Sequence, residues 1–122
     1  MPASPVLSGG QSYSGATTAQ TGSDVQSPGA RGVRLVVNMT NVGTGGITVI
    51  IEGKDKQSGV YYPILTGAAI ATNLTQILTV FPGATAAANV TANDFLPEIW
   101  RWRVTVANAN PTTYTVGFST LV

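Results

Sequence analysis

The chain has 122 residues, enough for one domain, and only 9% of them are charged, with a formal net charge of +1; soluble domains usually carry about 25%. Six basic side chains do not form the basic stripe that neutralises phosphates, which argues against nucleic acid as a partner. The chain contains no histidine and no cysteine, so Ser-His-Asp and Cys-His triads, disulfides and thiolate metal sites are excluded.

The first ten residues, MPASPVLSGG, have neither a charged leader nor an apolar run of seven residues, so we expect no secretory signal. No stretch approaches the ~20 apolar residues that cross a bilayer. The sequence therefore predicts a soluble protein, made in the cytoplasm, with no membrane partner. Sparse surface charge gives little repulsion between copies, which favours association.

Residues 1–30 carry one charge, Asp24, within a Ser, Gly and Thr-rich composition. Such a segment cannot form a core of its own. We expect a flexible or extended N-terminal arm over residues 1–30 and a folded domain over residues 31–122. Two forms of this hypothesis stay open: a disordered tail, or an arm that becomes ordered on a neighbouring subunit through Val6, Leu7 and Tyr13.

From Gly32 the apolar residues recur with period two, which is typical of a strand because successive side chains point to opposite faces. Between residues 33 and 40 one face is apolar; it comprises Val33, Leu35, Val37 and Met39. The turn formers of residues 41–46, NVGTGG, lead into a second alternating run over residues 47–52. We predict that these two strands form a hairpin.

Residues 54–59, KDKQSG, are predicted to be a solvated turn before a third strand at 60–66. Pro63 lies in that strand and indicates a sheet edge, because proline cannot donate to a ladder. A fourth strand is expected at 74–81, and residues 84–95 are expected to form an irregular crossover with one short strand.

The last two predicted strands, 99–107 and 112–121, are joined by the turn 108–111, and we expect them to pair. Their alternation places aromatic side chains on one face; these are Trp100, Trp102, Tyr114 and Phe118. An inner, core-facing role is the simplest explanation of that face, whereas a surface that grips nucleic acid is disfavoured. Arg101 and Arg103 then point outward, close to Glu98 or to a neighbouring chain.

At least six short strands separated by turns predict an all-β fold, an antiparallel β-sandwich of the Ig-like or jelly-roll-like kind. Asp94 and Glu98 are the acidic pair outside turns and arm, and a cap or salt bridge explains them better than acid–base catalysis. We expect no enzymatic activity, no catalytic residues, no cofactor and no metal site.

Three segments resemble small proteins encoded in tailed-bacteriophage genomes near the major capsid gene: GKDKQSGVYYPIL (53–65), LTVFPGATAAANVTANDFLPEIWRWRV (78–104) and NANPTTYTVGFS (108–119). The resemblance implies a virion structural protein, a decoration or cement protein that binds the major capsid protein on the outer head surface. It supplies no active-site residues.

With the low charge, the resemblance favours a homo-oligomer, a dimer or trimer. The candidate interface residues are Val6, Leu7, Tyr13, Tyr61, Tyr62, Arg101 and Arg103. The sequence leaves two alternatives open. One is a carbohydrate- or host-receptor-binding module in which Tyr61, Tyr62 or a tryptophan stacks on a sugar ring. The other is a tail or connector component.

Overall fold

The computed structural model describes residues 7–122, and the candidate residue Val6 lies outside them. The described chain contains ten strands and no helix. In chain order they are β1 (Ser8–Ala16), β2 (Gln20–Thr21), β3 (Val25–Gln26), β4 (Gly32–Asn41), β5 (Ile47–Lys54), β6 (Tyr61–Thr66), β7 (Thr75–Val80), β8 (Thr91–Ala92), β9 (Ile99–Val106) and β10 (Thr112–Leu121). Over these residues no helix is available to cross a membrane.

The strands form two sheets. The first has the order β1-β10-β4-β7-β8 and the second β2-β9-β5-β6, with β3 also paired to β9. All pairings are antiparallel except β7 with β8. The predicted all-β antiparallel sandwich is confirmed.

The core lies between the sheets and is supplied by alternate residues of the long strands. Its fully buried side chains include Val33, Leu35, Val49, Leu78, Trp100 and Tyr114. Along β4 the buried side chains alternate with outward-facing ones, of which Arg34 and Asn38 are exposed. This is the period-two burial that a sheet with one face on the core requires.

The two predicted hairpins are wrong. β4 lies between β10 and β7 in the first sheet, whereas β5 lies between β9 and β6 in the second. β9 and β10 are likewise in different sheets. The turns at 41–46 and 108–111 carry the chain across the core, so the apolar faces they connect meet face to face. Turn residues mark where the chain reverses but not which strand it pairs with.

The middle of the chain follows its prediction. The strand at Tyr61–Thr66 contains Pro63 and forms an edge of the second sheet. The fourth strand is Thr75–Val80, and the irregular crossover contains the short strand Thr91–Ala92.

The segment assigned to an N-terminal arm supplies three strands of the sandwich itself. β1 pairs with β10 from Ser8 to Ala16, and both β2 and β3 pair with β9. In β1 only Tyr13 is buried. An edge strand can form from so polar a sequence because ladder hydrogen bonds and one anchoring side chain hold it in place. From Leu7 onward, the segment is therefore part of the domain.

Candidate functional site: the two outer faces

The two tryptophans are part of the core and not of a binding surface. Trp100 is 0% and Trp102 4% exposed. Trp100 Nε1 donates to Ser27 Oγ at 3.0 Å, and Trp102 Nε1 donates to Tyr13 Oη at 3.1 Å. Phe118 meets Trp100 edge to face across the sandwich, with centroids 5.0 Å apart. The predicted inner aromatic face is confirmed, and its contact with Phe118 is between sheets instead of between neighbouring strands.

The outer face of the second sheet carries a charged group that we call the arginine cluster. It consists of Asp24, Glu52, Lys54, Tyr61, Arg101 and Arg103. Arg101 Nε and Arg103 Nε each donate to one oxygen of Glu52, both at 3.0 Å. The Glu52 side chain is only 6% exposed, so one buried carboxylate holds both guanidinium groups in position.

The expected neighbour of the arginines, Glu98, pairs instead with Lys56 at 3.5 Å. The correct partner, Glu52, lies directly opposite Arg101 in the register of β5 and β9. Its acidic side chain within an alternating strand is a signal that sequence reasoning missed, because the arginine and glutamate strands are far apart in the chain.

Tyr61 joins the arginine cluster to the loop between β2 and β3. The Arg101 guanidinium lies 3.4 Å from the Tyr61 ring centroid, and Tyr61 Oη donates to Asp24 Oδ1 at 2.6 Å. Lys54 Nζ lies 3.2 Å from Asp24 Oδ2. The hydrogen bond from Tyr61, assisted by Lys54, lowers the pKa of Asp24, and Asp24 in turn raises the pKa of Lys54.

The guanidinium ends of the cluster retain donor capacity. Arg101 and Arg103 use Nε for Glu52, and no acceptor within residues 7–122 binds their Nη atoms. Their side chains are 22% and 37% exposed. The cluster contains three cations and two anions, so its net charge is +1. The geometry suits capture of a single anionic group.

The outer face of the first sheet is almost uncharged, and we call it the neutral face. Its residues are Ser8, Ser12, Arg34, Val36, Asn38, Thr75, Ile77, Thr79, Thr115 and Ser119. Arg34 is the one charged residue in the five strands of this sheet. Cross-strand rows are made of small side chains, for example Ser12, Thr115, Asn38 and Thr75. Ile77 is 49% exposed in the middle of the face.

A shallow groove of about 510 Å³ borders the neutral face. It is lined by Arg34, Thr79, Phe81, Ala84, Thr120, Leu121 and Val122. Its aromatic wall is held by Arg31, whose guanidinium lies 5.2 Å from the Phe81 ring centroid. Sequence reasoning did not identify this groove, because the segments that line it meet only in the folded chain.

The other predicted interface residues are dispersed. Tyr13 is buried beside Trp102 and is not a surface residue. Leu7 is 41% exposed, and its amide donates to Thr120 Oγ1 at 2.7 Å. Tyr62 is also 41% exposed and lies opposite Gly53 in the ladder. One face of the Tyr61 ring is covered by Arg101 and cannot take a sugar ring.

The two carboxylates considered for catalysis have separate partners. Asp94 Oδ1 accepts from the Phe95 amide at 2.8 Å, and Glu98 pairs with Lys56. Glu98 therefore forms the expected kind of salt bridge, whereas Asp94 makes a local hydrogen bond to the next residue and caps no helix. Over residues 7–122, no group of three or more acidic side chains could hold a metal ion.

Comparison with known proteins gives distant structural likenesses. No family model and no curated protein sequence matches the chain. Among solved structures, it is similar to a Bacillus endospore appendage protein of disulfide-linked pili, with 13% identity, TM-score 0.49, and 96% of this chain and 88% of that chain covered. It is similar to the SPBc2 prophage-derived protein YomS, with 10% identity, TM-score 0.48, and coverages of 93% and 95%. A third likeness is to the Yersinia pseudotuberculosis-derived mitogen, with 11% identity, TM-score 0.44, and coverages of 96% and 86%. At these identities and TM-scores the likenesses do not extend to function.

Proposed function

We propose that this chain is a virion structural protein of a tailed bacteriophage, a decoration or cement protein that binds the major capsid protein on the outer head surface. It has no enzymatic activity in this proposal, and its binding role involves neither nucleic acid nor a membrane. It is made in the host cytoplasm and acts as a small homo-oligomer. The resemblance of residues 53–65, 78–104 and 108–119 to phage proteins supports this function.

The observation that carries the proposal is the neutral face. Covering it removes water from a single guanidinium, that of Arg34, while the remaining polar groups are hydroxyls and amides that can find partners. Burying an unpaired charge costs far more than burying a hydrogen-bonded hydroxyl, and the centres of protein interfaces are depleted in charge. Val36 and Ile77 add apolar area at the middle of the face.

The size of the neutral face argues for more than one contact per assembly. The face is four strands wide, at ~4.8 Å between strands, and about six residues long, at ~3.3 Å per residue. Its area is therefore roughly 400 Å². A stable interface buries ~800 Å² on each partner. One face therefore holds a copy weakly, and an oligomer that docks several faces on a repeating lattice gains from their high effective concentration.

The proposal is tested on tailed-phage particles assembled in cells that express the chain. We expect the wild-type chain to occupy regular positions on the outside of the head in electron cryomicroscopy. Ile77→Lys should reduce the copies per particle at least ~10-fold, because docking would bury an ammonium group without a partner. Copies per particle are counted by quantitative mass spectrometry.

Val60→Lys is the matched control, since Val60 is 58% exposed next to the KDKQSG turn, outside the neutral face. It should leave occupancy unchanged. Absence of the chain from heads, or full occupancy by the Ile77→Lys protein, would exclude the proposed docking.

A further inference from the structure

The loop before β9 presents an aromatic side chain beside a carboxylate that has no cation. Phe95 is 65% exposed, more than any other large apolar side chain between residues 7 and 122. Its neighbour Asp94 accepts a hydrogen bond from the Phe95 amide and forms no ion pair with the described residues. Both side chains are available to a partner, since the carboxylate can accept from a cation and the ring can be covered by a flat surface.

Each of the other four acidic side chains is bound to a cation or to several hydrogen-bond donors of its own turn. Asp24, Glu52 and Glu98 each form an ion pair. Asp55 is held in its own turn, where the Ser58 hydroxyl donates to Oδ2 at 2.6 Å. Asp94 is therefore the carboxylate of this chain that is best able to bind a cation on another molecule.

The arginine cluster offers the complementary chemistry. Glu52 fixes Arg101 and Arg103 through Nε, so their Nη donors are oriented before any partner arrives, and little rotamer entropy is lost when it binds. The net charge of +1 matches one carboxylate. A guanidinium plane such as that of Arg103, 37% exposed at its side chain, is also a surface on which an aromatic ring stacks.

We propose that the arginine cluster binds the Asp94–Phe95 pair of a second copy of this chain. The Asp94 carboxylate accepts from the Nη donors of Arg101 and Arg103, while Phe95 packs on the guanidinium plane of Arg103. The two patches differ, so the contact makes a two-fold dimer if it is formed reciprocally, or a ring or linear chain if each copy uses one patch per neighbour. This contact leaves the neutral face free and does not rest on the proposed docking to a head.

A polyanion fits the cluster less well than a single carboxylate does. Nucleic acid brings a phosphate every few ångströms, and the next phosphates would approach Glu52 and Asp24, which lie beside the arginines. The cluster also lacks the many cations that give nucleic-acid affinity.

The test is the mass of the purified chain in solution, measured by sedimentation equilibrium up to about 1 mM, the weak end of specific association. We expect the wild-type chain to self-associate. Asp94→Asn, Arg103→Gln and Phe95→Ser should each weaken association about 10-fold, because each removes a charge-assisted hydrogen bond or the stacked ring. Asp55→Asn and Arg34→Gln make the same charge changes elsewhere and should leave association unchanged.

The double variant Asp94→Asn/Arg103→Gln separates a direct contact from a general charge effect. If the two side chains touch across the interface, the loss of association free energy in the double variant is smaller than the sum of the losses in the two single variants. Tryptophan emission checks that every variant is folded. A wild-type chain that stays monomeric, a full-strength interaction of the Asp94→Asn and Phe95→Ser proteins, or additive losses in the double variant would overturn the proposal. Binding of a DNA oligonucleotide that is lost in Arg103→Gln would also overturn it.

Discussion

Two neighbouring tyrosines show how one hydroxyl can stabilise a core and another weaken it. The rings of Tyr13 and Tyr114 lie 5.0 Å apart. Tyr13 Oη accepts from Trp102 Nε1, whereas the buried Tyr114 Oη has no hydrogen-bond partner in the chain from residue 7 on. A buried polar group without a partner costs about 1–3 kcal/mol relative to one that is satisfied.

We therefore expect opposite effects from the same chemical change. Tyr114→Phe removes an unsatisfied hydroxyl and should leave the free energy of unfolding unchanged or raise it by up to about 1 kcal/mol. Tyr13→Phe leaves the indole N–H of Trp102 without an acceptor and should lower it by about 1–3 kcal/mol. Urea unfolding followed by tryptophan fluorescence measures both. A large loss of stability in Tyr114→Phe would show that its hydroxyl is bonded in solution.

The stabilities of the wild-type and Tyr114→Phe proteins should also differ at alkaline pH. Burial raises the pKa of Tyr114 above its ordinary value of 10.0, so above pH 10 the unfolded chain loses a proton that the folded chain keeps. The free energy of unfolding then falls as pH rises, by up to ~1.4 kcal/mol per pH unit for this group. Below pH 10 the contribution is constant. Lys54, whose pKa Asp24 raises, acts in the same direction in both proteins.

The measurement is the urea midpoint of wild-type and Tyr114→Phe proteins between pH 8 and pH 11, a range of about three units around the tyrosine pKa. The wild-type curve should fall more steeply above pH 10. Parallel curves would mean that Tyr114 ionises equally in the folded and unfolded chains.

The sequence was enough to predict which side chains of a strand point inward and which point outward. It was not enough to predict which residues on other strands they contact. Period two placed Trp100 and Trp102 inward and Arg101 and Arg103 outward, since that follows from strand geometry alone. It could not identify Glu52 as the arginine partner, because that pairing depends on which strands are neighbours and in what register.

At the level of strands, polar composition was a poor guide to the N-terminal segment. Hydrophobicity predicts a strand that buries a whole face, but β1 is an edge strand with Tyr13 as its one buried side chain. β2 and β3 are short and cover the edge of β9. Gly22 lies so close to the Trp102 indole that a Cβ there would overlap the ring. Ser27 Oγ accepts a hydrogen bond from Trp100 Nε1. The segment seals both tryptophans.

This sealing predicts the effect of removing residues 1–25. The truncated chain would lose β1, β2, Val25 of β3 and the Tyr13 acceptor, so the Trp102 indole should become accessible to solvent. We expect acrylamide quenching of tryptophan emission to rise and the emission maximum to shift to longer wavelength, with a loss of several kcal/mol of stability, as for other large core disruptions. A deletion of this segment cannot therefore isolate a docking role.

Ser23→Ala within the full-length chain is the control, because Ser23 is exposed next to Gly22. It should change neither quenching nor emission. Unchanged tryptophan shielding in the truncated chain would mean that the N-terminal segment is a separable arm after all.

In the molecule as a whole, the charged residues are distributed unequally between the two outer faces, and this distribution determines which surfaces suit which partners. Five of the eleven charged residues belong to the arginine cluster on the second sheet, whereas the five strands of the first sheet hold one. A low average charge could not reveal that segregation, because it depends on the pairing of strands. If both proposed contacts form, one subunit would bind two partners at once through chemically different faces.

The pairing of β1 with β10 also brings the two ends of the described chain together. Ser8 lies opposite Ser119, and the Leu7 amide lies 2.7 Å from Thr120 Oγ1. A short Gly/Ser linker in place of residues 1–6 should therefore join Val122 to Leu7 without strain. Because cyclisation restricts the unfolded chain and leaves the folded chain as it is, intein-mediated closure should raise the free energy of unfolding by about 2–4 kcal/mol.

A linear permutant separates that entropic effect from an effect of the linker itself. It carries the same linker, and its new ends lie between Lys56 and Gln57 in the exposed KDKQSG turn. Since its unfolded chain is open again, it should fold but lack the gain in stability shown by the ring. Urea denaturation of the linear parent, the ring and the permutant measures the difference. Failure of the ring to exceed the parent would mean that closure strains the β1–β10 edge, and that these strands do not hold the chain ends together in solution.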